Sequence, residues 1–336
     1  MISIANTHKL IDYVLFNSCS LSSCGLYNGK AGISLCLFET ARYLQDEYLE
    51  EQAYKLLQES LLAGNEDVGF ENGLAGIGYV LLYLIRHEFI EADFDELFGK
   101  QAAAIAQQLD KAERSDDMQF FKRNIKIACF LNLLYPLHVS GRQLSAFSKA
   151  FAHILEEYIL KIRQKQYAQL KMELNALLGT CLNISSVCAH FSISPELLDN
   201  YMHLWKENKL ISDFTIAYNL MEIVEKNNSV SLKEAVRKNL FYALKNMHPQ
   251  TMTIAEQINM LLLLKKKPDL YKDTIAKLED YMVGDENTEE DAFEKKLLSA
   301  IRTGSLIAGY ESGISRLLLY RVYCSSNDAR SRLIML

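Results

Sequence analysis

Gly25-Leu26-Tyr27-Asn28-Gly29-Lys30-Ala31-Gly32-Ile33 is followed, forty-odd residues on, by Gly69-Phe70-Glu71-Asn72-Gly73-Leu74-Ala75-Gly76-Ile77. Near the far end of the chain stands Gly309-Tyr310-Glu311-Ser312-Gly313-Ile314-Ser315-Arg316-Leu317. One phrase recurring close to both ends of a chain marks a repeat architecture. Each copy runs into an apolar stretch: Ser34 to Phe38, Tyr79 to Leu84, and Leu317 to Tyr320. A helix that is apolar nearly all round is buried on every side.

The leading glycine suits a tight turn or a positive φ, and Asn28, Asn72 and Ser312 stand where an N-cap would accept a hydrogen bond from the new helix. The glycines that follow cost helix propensity, about 1 kcal/mol each. Crowding supplies the compensation, because small side chains let backbones approach where several helices converge.

Amphipathic segments alternate with the buried ones: Ala41 to Leu61, Ala92 to Leu109, Leu144 to Ile162, Leu232 to Lys245 and Asp269 to Met282. Further buried-type stretches are Ile125 to Leu134, Leu174 to Val187, Thr215 to Val224 and Ile254 to Leu264. Inner starts near 25, 69, 125, 174, 215, 254 and 309 differ by about 39 to 56 residues, the length of a helical hairpin repeat. The pattern predicts an all-α fold, an α/α toroid of about seven inner and seven outer helices, as one domain over residues 1–336. Only 4 prolines interrupt the chain.

The composition of the 336 residues, 49% hydrophobic and 23% charged, with mean hydropathy -0.03, describes a chain that buries a large core. A net charge of -6 speaks against a general phosphate-binding surface, so no nucleic-acid partner is expected. Lys265-Lys266-Lys267 reads as a solvated helix end. Seven scattered cysteines form no disulfide framework, which favours a reducing, cytoplasmic setting. Leu21-Ser22-Ser23-Cys24-Gly25 has the look of a lipoprotein cleavage box, but Asp12, Asn17 and Ser18 spoil the apolar centre such a signal needs. No membrane partner is expected.

At the repeated phrase the chain resembles the lanthionine synthetase C-like family, whose α/α toroid carries G-x-x-x-G-x-A-G-I phrases at the starts of its inner helices. Ser305 to Gly313, followed by Leu317-Leu318-Leu319, is similar to that family's final repeat. By resemblance, cyclase members hold a zinc ion on two cysteines and a histidine and use it to activate a peptide cysteine for addition to a dehydrated serine or threonine. Zinc suits that step because it deprotonates a thiol at neutral pH. The family's ligands come from a Trp-Cys-x-Gly-like segment in the fifth repeat and a Cys-His-Gly segment in the sixth. Here the corresponding openings are Ser212-Asp213-Phe214-Thr215-Ile216-Ala217 and Gln250-Thr251-Met252-Thr253-Ile254-Ala255, without cysteine, and Cys-His-Gly occurs nowhere. The expectation is therefore a protein with no metal and no cofactor, in which the enzymatic step is in doubt.

Cys181, Cys188 and His190 have no recurrent zinc spacing and read as core. Cys19 and Cys24 lie near an expected helix start, where thiols are activated, but lack partners. His8, His87, His138, His153, His203 and His248 are scattered, and no nucleotide-binding phrase occurs. Tyr27, Glu71 and Glu311 share one place in their phrases, with aromatics Phe70 and Tyr310 one residue earlier. Such residues at the mouth of a toroid suit peptide binding, giving Tyr27, Glu71, Tyr310, Glu311 and Asp213 as substrate-binding candidates. The partner expected is a ribosomally made peptide or an enzyme that matures one. The alternative is a carbohydrate-active α/α-barrel enzyme in which Glu71 or Glu311 works with Asp213, since an acid and a base flank a scissile glycosidic bond. A non-catalytic scaffold is the remaining alternative. Arg316 replaces a glycine of the other copies and is expected to pair with an inner carboxylate, because buried charges are normally paired.

Overall fold

Leu, Ala, Ile and Lys at helical spacing dominate the chain, and among the described residues every regular element is a helix. The computed structural model describes residues 4–111, 118–134, 203, 214–226, 230–249, 252, 254–283, 309–310 and 313–326. The helices are α1 (Ile4–Ser18), α2 (Lys30–Leu44), α3 (Glu47–Leu62), α4 (Leu74–Arg86), α5 (Phe94–Lys111), α6 (Met118–Leu134), α7 (Phe214–Lys226), α8 (Val230–Lys245), α9 (Ile254–Leu264), α10 (Pro268–Val283) and α11 (Ile314–Ser326). The expected stretches at 144–162 and 174–187 lie outside the described residues. So do the cysteines and histidine between 181 and 190.

The chain forms two compact units, Met1–Ala106 with Pro249–Leu336, and Gln107–His248. In the first, α2 packs against α3, α4 and α1, and α11 packs against α2, α1 and α9, while α10 lies along α9. In the second, α7 packs on α8. The buried-type stretches form the cores. Ile33, Leu35, Cys36 and Leu37 of α2, Val80, Leu81 and Leu84 of α4, and Ile314 and Leu318 of α11 are fully buried. In the second unit Ala217 and Val224 of α7 and Val236 of α8 are buried as completely.

Two local expectations are corrected. Residues 41–61 do not form one surface helix: Gln45 adopts a left-handed φ of 57°, ending α2, and Asp46 caps α3 by accepting from the Leu49 N–H at 3.0 Å. The phrase asparagines are not N-caps either. The caps of α2 and α4 are Gly29 and Gly73, both with extended backbone and no side-chain bond. The first N–H of each helix donates instead to a carbonyl of the turn folded over it, Lys30 to Ser23 at 3.1 Å and Leu74 to Asp67 at 2.7 Å.

One helix went unread in the sequence. α1 buries Leu10 and Val14 completely against its neighbours α2 and α11. Cys19 follows the end of α1, with its thiol directed to the Leu15 carbonyl at 3.6 Å, so it stands at a helix end rather than a start.

Polar bonds tie the first unit between its helices. The buried Ser34 hydroxyl donates to the Ala53 carbonyl at 2.8 Å, joining α2 to α3. The Cys36 thiol donates to the Ser315 carbonyl of α11 at 2.9 Å, and burial pushes that thiol far above its ordinary range. Arg42 closes the far end of α4: it lies 3.3 Å from the Phe89 ring centre and donates to the His87 and Glu88 carbonyls at 2.8 and 3.0 Å. Lys265 is not simply solvated. It pairs with Glu279 at 2.6 Å, and Glu279 also accepts from the Tyr320 hydroxyl at 2.9 Å, joining α9, α10 and α11.

A methyl group on Gly25 would fall 2.7 Å from the Asn72 carbonyl oxygen, with backbone behind it that cannot swing away, whereas one on Gly64 would meet nothing within 4 Å. Gly25→Ala is therefore expected to destabilise the protein by about 1–3 kcal/mol or more, and Gly64→Ala to stay within about 1 kcal/mol of wild type. Urea unfolding of the two variants checks the difference; equal midpoints would remove the close approach.

Candidate functional site

The three glycine phrases meet at one end of the first unit. The Tyr310 N–H donates to the Tyr27 carbonyl at 2.7 Å, and the Tyr27 N–H donates to the Glu71 carbonyl at 2.8 Å. The third phrase thus lies beside the first and the first beside the second, although they are far apart in sequence. The approach is close on both flanks: a Cβ on Gly32 would come within 2.7 Å of the Tyr310 Cβ. Each backbone bond contributes about 0.5–1.5 kcal/mol net. Their larger effect is to fix the register of three helix starts.

Alternation of side chains along the phrases sorts the candidates. Leu26, Phe70 and Tyr310, each directly after its leading glycine, are 2, 2 and 3% exposed and form the packed floor. Tyr27 is half-buried and Glu71 exposed, and the bonded backbones hold these two next to each other on the outer side. Tyr310 therefore serves as part of the interior wall. Glu311 and Asp213 lie outside the described residues, so of the three carboxylates proposed for the glycosidase alternative Glu71 alone is described.

Beneath the phrases lies a tyrosine neighbourhood that the sequence reading passed over. Tyr79 and Tyr83 occupy successive turns of α4, and both are 3% exposed. Phe70 meets Tyr79 edge-on at 5.5 Å between ring centres, and the Tyr83 hydroxyl donates to Glu39 of α2. Burial pushes the phenols of Tyr310 and Tyr79 well above their ordinary range, with the neighbouring tyrosines adding to it; Arg316 pulls Tyr310 part of the way back. Both phenols stay protonated at neutral pH. The signal that could have found them is spacing: two tyrosines four apart in an otherwise aliphatic helix put two hydroxyls on one buried stripe, where each needs a partner.

The ion pair expected for Arg316 is not formed among the described residues. Its guanidinium lies 5.9 Å from the Tyr310 ring centre, and its Nε is buried with no hydrogen-bond acceptor. Among the described residues no group of three or more His, Cys, Asp or Glu side chains is placed to hold a metal ion, and no helix is long and apolar enough to cross a membrane.

No protein family and no curated protein matches this chain.

If the Tyr310 ring is wall rather than surface, its size matters more than its hydroxyl. Tyr310→Ala is expected to cost about 3–5 kcal/mol through the cavity it opens, and Tyr310→Phe no more than about 1.5 kcal/mol. Denaturant unfolding measures both; an Ala variant as stable as wild type would move Tyr310 out of the core.

Proposed function

We propose that this protein is a lanthionine synthetase C-like α/α toroid lacking the family's zinc ligands, and that it binds a ribosomally made peptide, or helps to modify one, where its glycine phrases meet. One observation carries the reading: phrases from opposite ends of the chain are joined by backbone hydrogen bonds, as the first and last repeats of a closed ring must be. The packing of α11 beside α2, with α3 and α10 each lying along one of the core helices, supports it further. Glycine phrases at helix starts carry the family likeness, and the openings at 212–217 and 250–255, which contain no cysteine, carry the absence of zinc.

Tyr27, half-buried, and Glu71, exposed, have bonded backbones at this end, which makes them the first residues for a peptide to touch. Binding sites in helical assemblies tend to form between helices. In this reading a cytoplasmic peptide-maturation enzyme supplies or consumes the bound peptide.

Two measurements test the proposal. Protein purified without added metal is expected to carry well below one zinc per chain by elemental analysis; one tightly held zinc per chain would overturn the zinc-free reading. A synthetic peptide containing dehydroalanine and cysteine is expected to bind without zinc-dependent loss of its thiol. Tyr27→Ala with Glu71→Ala is expected to weaken binding about tenfold, or 1.4 kcal/mol. Absence of any binding by the wild-type chain would sink the peptide reading.

A further inference from the structure

Arg316 is out of keeping with its surroundings. It lies in the first turn of α11, and the matching positions of α2 and α4 are Gly32 and Gly76, so it is the one long side chain at that level of the three phrases. A buried guanidinium nitrogen without an acceptor costs free energy, because it has given up water for nothing in return. The Tyr310 ring at 5.9 Å supplies a weak cation–π attraction but accepts nothing from Nε. Tyr310, which has Tyr27, Tyr79 and Tyr83 among its own neighbours, brings a ring rather than a negative charge. Among the described residues, the Glu39 carboxylate receives the Tyr83 hydroxyl and forms no ion pair with Arg316.

We infer that Arg316, beside the Tyr310 ring, forms a receptor for a carboxylate group of the bound peptide. A guanidinium has a planar fork of donors whose geometry matches a carboxylate, and a partly buried one binds it more strongly than an exposed one does. A single cation suits a singly charged group, whereas a phosphate dianion would call for a second cation. Part of Arg316 is open to solvent, which leaves the side chain within reach of a ligand. The inference rests on the peptide-binding reading for the class of ligand, whereas the missing acceptor on Arg316 is independent of that reading.

The test is calorimetric titration of the full-length protein with three probes: acetyl-Phe-Gly as the free acid, the same compound as its C-terminal amide, and acetyl-Glu-Gly amide. The carboxylate-bearing probe of the matching kind is expected to bind at least about tenfold more tightly than acetyl-Phe-Gly amide, and which of the two does so tells a chain terminus from an acidic side chain. Arg316→Gln is expected to abolish that preference, bringing the acids' affinity down to that of the amide, and Arg316→Lys to retain part of it. The comparison of acids with amide on the wild-type chain needs no variant, so it decides the matter even if Arg316→Gln fails to fold. Equal binding of all three probes, or a preference that survives in Arg316→Gln, overturns the carboxylate receptor and leaves peptide binding standing. No binding of any probe to wild type overturns the receptor too, and the dehydroalanine peptide then judges the broader reading separately.

Discussion

Close approach at glycines, where a Cβ would not fit, is the constraint on which the first unit depends. At Gly25 and Gly32 the first phrase is pressed from both sides, by Asn72 of the second and Tyr310 of the third. Hydrogen bonds through Tyr27 then lock the three together. Apolar burial alone is non-directional and would tolerate sliding helices. The N–H to carbonyl bonds do not, since a shift of one residue would break them. The greasy faces of α2, α4 and α11 drive association, and the phrases decide at what height the helices stand.

That arrangement also explains how a tyrosine neighbourhood survives inside an aliphatic core. Once the helix starts are level, Tyr79 and Tyr83 of α4, Glu39 of α2 and Arg316 of α11 are brought to one region, where hydroxyls can find acceptors. Polar groups in such a place are costly unless satisfied, and a satisfied set makes one packing preferable to its competitors. The unsatisfied member, Arg316, is the group on which a ligand would act.

Sequence periodicity was most readable where nothing but packing determined the element. The stretch at 254–264 coincides with α9, and those at 215–224, 232–245 and 269–282 lie within α7, α8 and α10. Two misses have local causes. The break between α2 and α3 sits at Gln45, a residue that gives no warning of a left-handed conformation, so only the cap at Asp46 could have marked it. Asn and Thr at the start of α1 masked a stripe formed by Leu10 and Val14. At the site, the shared position of Tyr27 and Glu71 was legible because the phrase repeats. The partners of Arg316 were not, because which residues face a side chain across three helices depends on register, and register is set by contacts between distant segments.

The first unit is assembled from both ends of the chain, while Gln107–His248 is continuous. The Cys36 thiol and its Ser315 acceptor stand 279 residues apart. On the ribosome, then, α2 must wait with an apolar flank uncovered until α11 has been made, and closing so long a loop favours slow completion. Emerging chains in that interval are exposed to the self-association that incomplete cores invite. The timetable of synthesis, more than final stability, is thus where this architecture is most vulnerable.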